Sequence, residues 1–196
     1  MPARRTTAVR LFLAVNFAPE LREALHGATM QLRTAAPEVR WTSAERLHLT
    51  LKFLGEQPPE TVDRLRPAMD AVAERHHPMD FVAGGVGAFP NFRRARVVWV
   101  GVEPSQALEL FYNDVEAACE RLGFPREGRA FRPHVTLGRV RPNIPQVRPD
   151  ALAQAAQSVN ARAITRVESL DLMASVQDRG GPRYVLRHRS ALGDAQ

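Results

Sequence analysis

The spacing of apolar residues along the chain predicts a mixed α+β fold. Alternating or continuously apolar segments, typical of strands, cover 9–17, 47–54, 81–89, 96–102, 131–140, 163–175 and 183–188. Apolar positions three and four apart, typical of helices, cover 19–34, 61–75, 105–122 and 150–158. Ser105 is expected to cap the third helix, and a turn at 180–182 to join the last two strands. The glycines within 81–89 favour bulges or a close backbone approach.

The two halves of the sequence share a pattern. Each has a long helix and an alternating strand that carries a His-x-Thr sequence, at 48–50 in the first half and at 134–136 in the second. No low-complexity segment and no long linker separates the halves. We therefore expect one domain over 1–196, with two α+β lobes that face each other across a cleft.

Both His-x-Thr sequences continue with a leucine, giving HLTL at 48–51 and HVTL at 134–137. Because side chains alternate across a strand, the histidine and threonine share one face while the apolar residues face a core. The residues that this alternation assigns to the core are Leu47, Leu49, Leu51, Phe53, Val135 and Leu137. The residues that it assigns to the opposite face are His48, Thr50, Lys52, His134 and Thr136.

Two such strands facing each other would present two imidazoles and two hydroxyls to one small space. One imidazole can deprotonate a nucleophile while the other, protonated, gives its proton to a leaving oxygen. Histidine's ordinary pKa of about 6.5 allows both states near neutrality. The hydroxyls can donate hydrogen bonds to phosphate oxygens, and a nearby arginine can add a bidentate contact. The pattern therefore predicts phosphoester chemistry without a metal or a cofactor.

Composition limits the function classes. The 196 residues carry a formal charge of +6, and 44% are hydrophobic, which is typical of a globular protein. One cysteine, Cys119, excludes a disulfide framework and a cysteine-based zinc site. The apolar runs are shorter than the roughly 18–20 residues of a membrane span, and 1–10 lacks the apolar core of a signal peptide. We therefore expect a soluble cytoplasmic protein that has no membrane partner.

Arginine dominates the cations: of the 27 Lys and Arg residues, only Lys52 is a lysine. GC-rich coding is one explanation of this bias. The other is a surface that attracts phosphate, because the planar guanidinium can bind two oxygens at once. The sequence contains no H-E-x-x-H, no G-x-x-x-x-G-K and no nucleotidyl-lysine motif, so neither metal-dependent hydrolysis nor ATP-driven ligation is favoured.

The residues around both motifs are similar to a known family. HLTL and HVTL resemble the paired motifs of the 2H phosphoesterases, a superfamily named for two His-x-Thr/Ser-x sequences. RLFLAVNFAP, LHLTLKFLGE, VVWVGV and FRPHVTLGRV are similar to the bacterial and archaeal RNA 2′,3′-cyclic phosphodiesterases, historically called 2′-5′ RNA ligases. The resemblance covers about 9–188. It implies a bilobal, pseudo-two-fold α+β fold in which two mainly antiparallel sheets flank a central cleft, with helices outside.

The resemblance also implies an activity. A monomer without cofactor or metal would hydrolyse RNA 2′,3′-cyclic phosphate ends, such as those of tRNA half-molecules, to 2′-phosphomonoesters, with weak reverse 2′-5′ ligation. By position, His48 is the proton donor to the departing O3′ and His134 is the proton acceptor that activates water. Thr50 and Thr136 hold the phosphate in this interpretation.

Arg139 matches an arginine that this family often carries five residues after the second histidine. An odd offset would place it on the face opposite His134 in a regular strand. We therefore expect a bulge or a strand end at Gly138 that turns Arg139 toward the site. Further candidates for contacts to a base or to RNA are Phe12, Phe89, Trp99, Lys52 and Arg132.

Two other functions remain open on the sequence. One is a 2H activity on another cyclic or 2′-5′ nucleotide substrate, with the same catalytic residues and a different pocket. The other is a non-catalytic RNA-binding module, whose salt-sensitive binding would survive the loss of His48 and His134.

Overall fold

Antiparallel strands form most of the molecule. The computed structural model describes residues 8–141, 148–159, 162–178 and 181–193. Its strands are β1 (Val9–Asn16), β2 (Val39–Trp41), β3 (His48–Gln57), β4 (Met79–Phe89), β5 (Val97–Val102), β6 (His134–Val140), β7 (Ala163–Val167), β8 (Ser169–Asp178) and β9 (Gly181–Ala191). Its α-helices are α1 (Pro19–Ala28), α2 (Met30–Ala35), α3 (Thr61–Ala73), α4 (Gln106–Arg121) and α5 (Pro149–Ser158). The expected α+β class is confirmed.

The strands join into one curled sheet with the order β7-β4-β5-β6-β3-β1-β8-β9, and β2 lies beside β6. Each described pair of neighbours is antiparallel, as expected. The expectation of two separate sheets is corrected, because the pair Leu49 and Val135 connects β3 to β6 at the centre. Leu49–Val135 is the one pair between β3 and β6 in the described part of the chain, whereas β3 pairs along its length with β1 and β6 with β5, so the two central strands leave a cleft between them.

The helices cover one face of this sheet. α3 and α4 lie against β3, β8 and β9 of one half, while α1 and α5 lie against β7 and β4 of the other. The main core between helices and sheet includes Leu49 and Val135, both fully buried. A separate small cluster of Phe12, Ala14 and Met173 lies on the opposite face of the sheet, since β1 alternates. Among the described residues, no helix combines the length and the apolarity that crossing a membrane would require.

Two predicted elements are divided in the structure. The helix predicted over 19–34 breaks at buried Thr29, whose hydroxyl donates a hydrogen bond of 2.8 Å to the Leu25 carbonyl and competes with the helical ladder. The strand predicted over 163–175 breaks at Glu168 into β7 and β8, which lie in different halves of the sheet. The buried positions shift from 165 and 167 in β7 to 170, 172 and 174 in β8, so the alternation changes phase at the two polar residues Glu168 and Ser169.

Other boundaries follow the sequence closely. The Ser105 hydroxyl accepts a hydrogen bond of 3.2 Å from the Leu108 amide and caps α4, as predicted. In β4 the register shifts at Gly85, whose φ of 69° is a bulge conformation that favours glycine. In the turn predicted at 180–182, residue 180 lies outside the described residues, and 181 and 182 belong to β9. Three-residue β2 was not predicted because it is too short to show a period.

The second half of β3 departs from the predicted alternation. Leu13 of β1 pairs with Lys52 and Ala14 pairs with Thr50, so Leu51 is an extra residue in β3 and forms a bulge. Beyond the bulge the faces are exchanged. Lys52 is 6% exposed and faces the helices, while Phe53 is 64% exposed on the other face. The assignments of Lys52 to the cleft and of Phe53 to the core are therefore wrong, and the bulge is the reason.

Lys52 forms a buried ion pair instead of an RNA contact. Its ammonium donates hydrogen bonds of 2.8 Å to both carboxylate oxygens of Glu116 in α4 and to the Pro125 carbonyl. The Glu116 carboxylate also accepts a bond of 3.0 Å from the Glu127 amide. All three donors of Lys52 are satisfied, which a buried charge requires. The pair thereby ties β3 to α4 and to the segment 123–133 that leads into β6.

We predict that Lys52→Met lowers the free energy of unfolding by about 3–5 kcal/mol, because it leaves the Glu116 carboxylate buried without a countercharge. Urea unfolding followed by circular dichroism measures the change. Lys52→Met combined with Glu116→Gln should recover most of the loss, since no buried charge remains and the amide oxygen still accepts from Glu127. Equal loss in the single and double variants would contradict this explanation.

Candidate active site

The two His-x-Thr sequences lie side by side at the centre of the sheet. Leu49 pairs with Val135, and in antiparallel strands the residues before and after such a pair also face each other. This register places His48 beside Thr136 and His134 beside Thr50, and their side chains share the face opposite the helices. One pairing therefore assembles four polar side chains from positions 86 residues apart in the chain.

The two imidazoles are held in the same way. His48 Nδ1 lies 2.7 Å from the Arg46 carbonyl, and His134 Nδ1 lies 2.7 Å from the Arg132 carbonyl. A carbonyl oxygen only accepts, so Nδ1 of each ring carries a proton and Nε2 is the nitrogen that titrates. Among the described residues, neither Nε2 has a hydrogen-bond partner. Each ring is thus oriented by its own strand and keeps one nitrogen free for a proton transfer.

Aromatic side chains surround each imidazole. The centroid of His48 is 5.1 Å from that of Phe12 and 5.2 Å from that of Tyr184. The centroid of His134 is 5.0 Å from that of Phe89 and 6.2 Å from that of Trp99. Phe12, Phe89 and Trp99, which the sequence proposed as base contacts, therefore lie against the histidines.

Trp99 owes its position to a glycine on the neighbouring strand. Gly87 pairs with Trp99 across β4 and β5, and a Cβ at Gly87 would overlap the indole ring. The close backbone approach expected for this glycine-rich strand is therefore confirmed.

The surroundings lower the pKa of both histidines below the ordinary value. Burial is the largest cause for each ring, because desolvation disfavours the charged form. The Arg139 cation lowers both values further, and the charge of His134 lowers that of His48. The hydrogen bonds from Nδ1 to the backbone act in the opposite direction. Both imidazoles therefore favour the neutral state in the free protein.

Arg139 reaches the cleft through a bulge in β6. Trp99 pairs with Thr136 and Val98 with Gly138, so Leu137 is an extra residue in β6. The expected bulge is confirmed, although the extra residue is Leu137 and not Gly138. Gly138 instead leaves room for β2 to pack closely, because a Cβ at this position would lie 2.6 Å from the Val39 side chain. Leu51 and Leu137 each follow their histidine by three residues, so the two bulges are equivalent.

The cleft beside His48 has a volume of about 510 Å³. The side chains that line it include the cations Arg10, Arg40, Arg46 and Arg139, the aromatic rings Phe12, Trp41, Phe53 and Tyr184, and the hydroxyls of Thr50 and Thr136. No Asp or Glu is among the described residues that line it. The cleft therefore combines a positive field with aromatic surface, which suits a phosphate attached to a nucleoside.

Some functional residues differ from the sequence prediction. Arg132 contributes its carbonyl, while its side chain is exposed and is not among those that line the cleft. Phe53 and Tyr184 line the cleft and were not predicted. The sequence could not show the carbonyl contacts, since every residue has a backbone carbonyl and the arginine side chains take no part in them. Nor did it carry a signal for Tyr184, which comes from the last strand.

The described residues contain no group of three His, Cys, Asp or Glu side chains arranged for a metal ion. Two other histidines bind carboxylates: His76 Nε2 lies 2.9 Å from Asp114, and His188 Nε2 lies 2.8 Å from Asp70. These contacts tie up the nitrogen that His48 keeps available. The difference supports the choice of the motif histidines as the reactive pair.

We predict that Arg139→Met raises the pKa of both His48 and His134, because it removes a cation that disfavours their protonation. NMR titration of the imidazole C2 protons measures both values. Arg139→Lys is the matched control, since it retains the charge and should leave both values closer to those of the wild type. An unchanged pKa for both rings in Arg139→Met would contradict the electrostatic coupling.

The comparisons with known proteins agree with this geometry. A family model described as the 2′-5′ RNA ligase superfamily matches residues 17–179. A protein of Archaeoglobus fulgidus named RNA 2′,3′-cyclic phosphodiesterase is 33% identical over 178 residues, which are 90% of this chain and 96% of the relative. A relative of the same name from Geobacillus stearothermophilus is 34% identical over 141 residues, and this match spans 72% of this chain but only 45% of that longer protein.

Solved structures show the same fold. A Thermus thermophilus protein, TT0787, has a TM-score of 0.76 and 28% identity, and the match covers 95% of this chain and all of that one. E. coli LigT complexed with 3′-AMP has a TM-score of 0.69 and 29% identity, with 94% and 98% covered. On the paired motifs, the fold and these matches, the chain belongs to the 2′-5′ RNA ligase superfamily.

Proposed function

We propose that this protein hydrolyses RNA 2′,3′-cyclic phosphate ends to 2′-phosphomonoesters, without a metal, and that it also catalyses 2′-5′ ligation of these ends to a 5′-hydroxyl weakly. The observation that carries the proposal is the matched pair of imidazoles, each with Nδ1 bonded to a carbonyl 2.7 Å away and Nε2 left to titrate. A module that only bound RNA would need no such pair. The names of the similar proteins support the substrate.

In hydrolysis, neutral His134 accepts a proton at Nε2 from a water whose oxygen attacks phosphorus. His48, protonated at Nε2, gives that proton to O3′ as the P–O3′ bond breaks. The products are a 2′-phosphomonoester and a free 3′-hydroxyl, and the two histidines have exchanged their protonation states. In ligation a 5′-hydroxyl takes the place of water: its proton goes to His134 Nε2, its oxygen bonds to phosphorus to form the 2′-5′ linkage, and His48 again protonates the departing O3′.

The hydroxyls of Thr50 and Thr136 donate hydrogen bonds to the non-bridging oxygens, where negative charge develops in the transition state. Arg139 lines the same cleft and adds a guanidinium fork. A bound cyclic phosphate also brings a negative charge beside Arg139. That charge offsets the cation that lowers the pKa of His48, so binding favours the protonated form that the step requires.

The nucleoside lies against aromatic surface in this proposal. Phe53 is 64% exposed and lines the cleft, so its face is open to a base. Phe12 is only 3% exposed and packs on His48, which suits support of the imidazole better than stacking on a base. Phe89 and Trp99 take the equivalent place beside His134.

We predict that the wild-type protein, in EDTA, converts a short RNA with a 2′,3′-cyclic phosphate end to the 2′-phosphate. His48→Ala and His134→Ala should each lower the rate by at least about 100-fold, since acid–base catalysis contributes that much or more. Phosphorus NMR locates the phosphate in the product. The matched control is His77→Ala, an exposed histidine outside both His-x-Thr sequences.

The outcomes separate the alternatives. Hydrolysis of other cyclic or 2′-5′ nucleotides with no action on RNA would replace the substrate and keep the mechanism. RNA binding that survives in both histidine variants, without hydrolysis by the wild type, would replace the enzyme with a binding module.

We predict that a substrate with a sulfur leaving group distinguishes the proton-donor role of His48 from the proton-acceptor role of His134. In a cyclic phosphorothiolate, sulfur replaces O3′, and this sulfur departs as a thiolate without being protonated. His48→Ala should therefore recover most of its rate on this substrate. His134→Ala should stay slow, because water still needs a base. Rates are measured against the uncatalysed hydrolysis of the same compound. If His134→Ala recovered its rate instead, His134 would be the proton donor and His48 the proton acceptor.

A further inference from the structure

We propose that one end of the sheet binds the backbone of the RNA that leads into the cleft. This inference rests on the proposed function and extends it from the cyclic end to the rest of the substrate. The surface, called the arginine edge below, consists of Arg40, Arg93, Arg94, Arg96, Arg139 and Arg141, all exposed. It lies where β2, β5 and β6 meet.

The edge begins inside the cleft. Arg40 of β2 pairs directly with Arg139 of β6, and both line the cleft. Like charges directly opposite each other on neighbouring strands destabilise a sheet unless an anion lies between or near them. The register therefore places two cations where the phosphate of a bound RNA would relieve their repulsion.

The edge continues past the cleft along the β4–β5 hairpin. Val97 at the start of β5 pairs with Arg139, and the Val140 amide donates a hydrogen bond of 3.0 Å to the Arg96 carbonyl. The turn before Arg96 carries Arg93 and Arg94. The other strand of the hairpin, β4, ends at Phe89, which packs on His134. The hairpin thus joins the reactive centre to a basic surface outside it.

Charge balance distinguishes this edge from the rest of the surface. The segments that carry it, 39–44, 81–102 and 131–141, contain no Asp or Glu. Elsewhere the arginines that pair with carboxylates are Arg10, Arg66, Arg75, Arg126, Arg162, Arg166 and Arg189. Within the part of the chain that the structure describes, no member of the edge forms an ion pair. A genome-wide bias toward arginine adds cations everywhere, but it does not explain why six exposed ones lie together on segments that contain no Asp or Glu.

A polynucleotide fits this edge better than a single nucleotide. The cleft can hold the cyclic phosphate and one nucleoside, whereas Arg93, Arg94 and Arg96 lie outside it. Guanidinium groups bind phosphates through paired hydrogen bonds, and a strand of RNA supplies phosphates at regular intervals. The nucleotides upstream of the cyclic end therefore run from the cleft across Arg40 and Arg139 toward the hairpin.

The test compares two substrates in the combined variant Arg93→Ala, Arg94→Ala and Arg96→Ala. For a ten-nucleotide RNA with a 2′,3′-cyclic phosphate end, we expect kcat/KM to fall about tenfold or more at 0.1 M salt. For a mononucleotide 2′,3′-cyclic phosphate, we expect a change of less than about twofold. The slope of log kcat/KM for the RNA against log salt should become shallower by about 2, at roughly 0.7 for each lost phosphate contact on a single strand.

The matched control is Arg64→Ala, Arg66→Ala and Arg121→Ala, which removes the same charge from the exposed surface of α3 and α4. It should leave both substrates and the salt slope unchanged. Equal losses of kcat/KM on RNA in the two triple variants would overturn the proposal that the arginine edge binds RNA. So would an unchanged kcat/KM on RNA in the variant that lacks Arg93, Arg94 and Arg96. If the wild type fails on the mononucleotide and on RNA alike, the proposed function fails, and the two failures are thus distinguishable.

Discussion

The pairing of Leu49 with Val135 is the constraint on which the site depends. Both residues are fully buried, so the main core fixes the register of the two central strands. A slip of one residue would turn the histidines and threonines into that core and the leucines into the cleft. Because the strands pair at this one position and then diverge, the same contact aligns the two motifs and leaves the space between the halves open.

The two equivalent bulges then give the halves different chemistry on a similar backbone. Five residues after its histidine, each strand turns a side chain into the cleft, which is Phe53 in one half and Arg139 in the other. One position earlier, each strand faces the other way. There Lys52 forms its buried ion pair, and Gly138 leaves room for β2. The pseudo-symmetric backbone thus carries an aromatic surface on one side and a cation on the other.

Electrostatics complete this arrangement. Burial and the Arg139 cation both keep the histidines neutral in the free protein, and the described lining of the cleft holds arginines without a carboxylate. In the proposed mechanism, an arriving phosphate satisfies the arginines and changes the balance of charge around the imidazoles at the same moment. The field proposed to attract the substrate is therefore also the field that sets the proton affinity of the two histidines.

The sequence by itself determined the α+β class, the paired motifs and the assignment of two histidines and two threonines to one face, because alternation is a local property of a strand. It also indicated a bulge before Arg139, since an odd offset conflicts with a two-residue period. Only the tertiary structure decided that Lys52 faces the core and Phe53 the cleft. The bulge at Leu51 that exchanges their faces depends on pairing with β1, and no local signal marks it. Tyr184 joined the site for a similar reason: its strand is close to His48 only through the order of β1, β8 and β9.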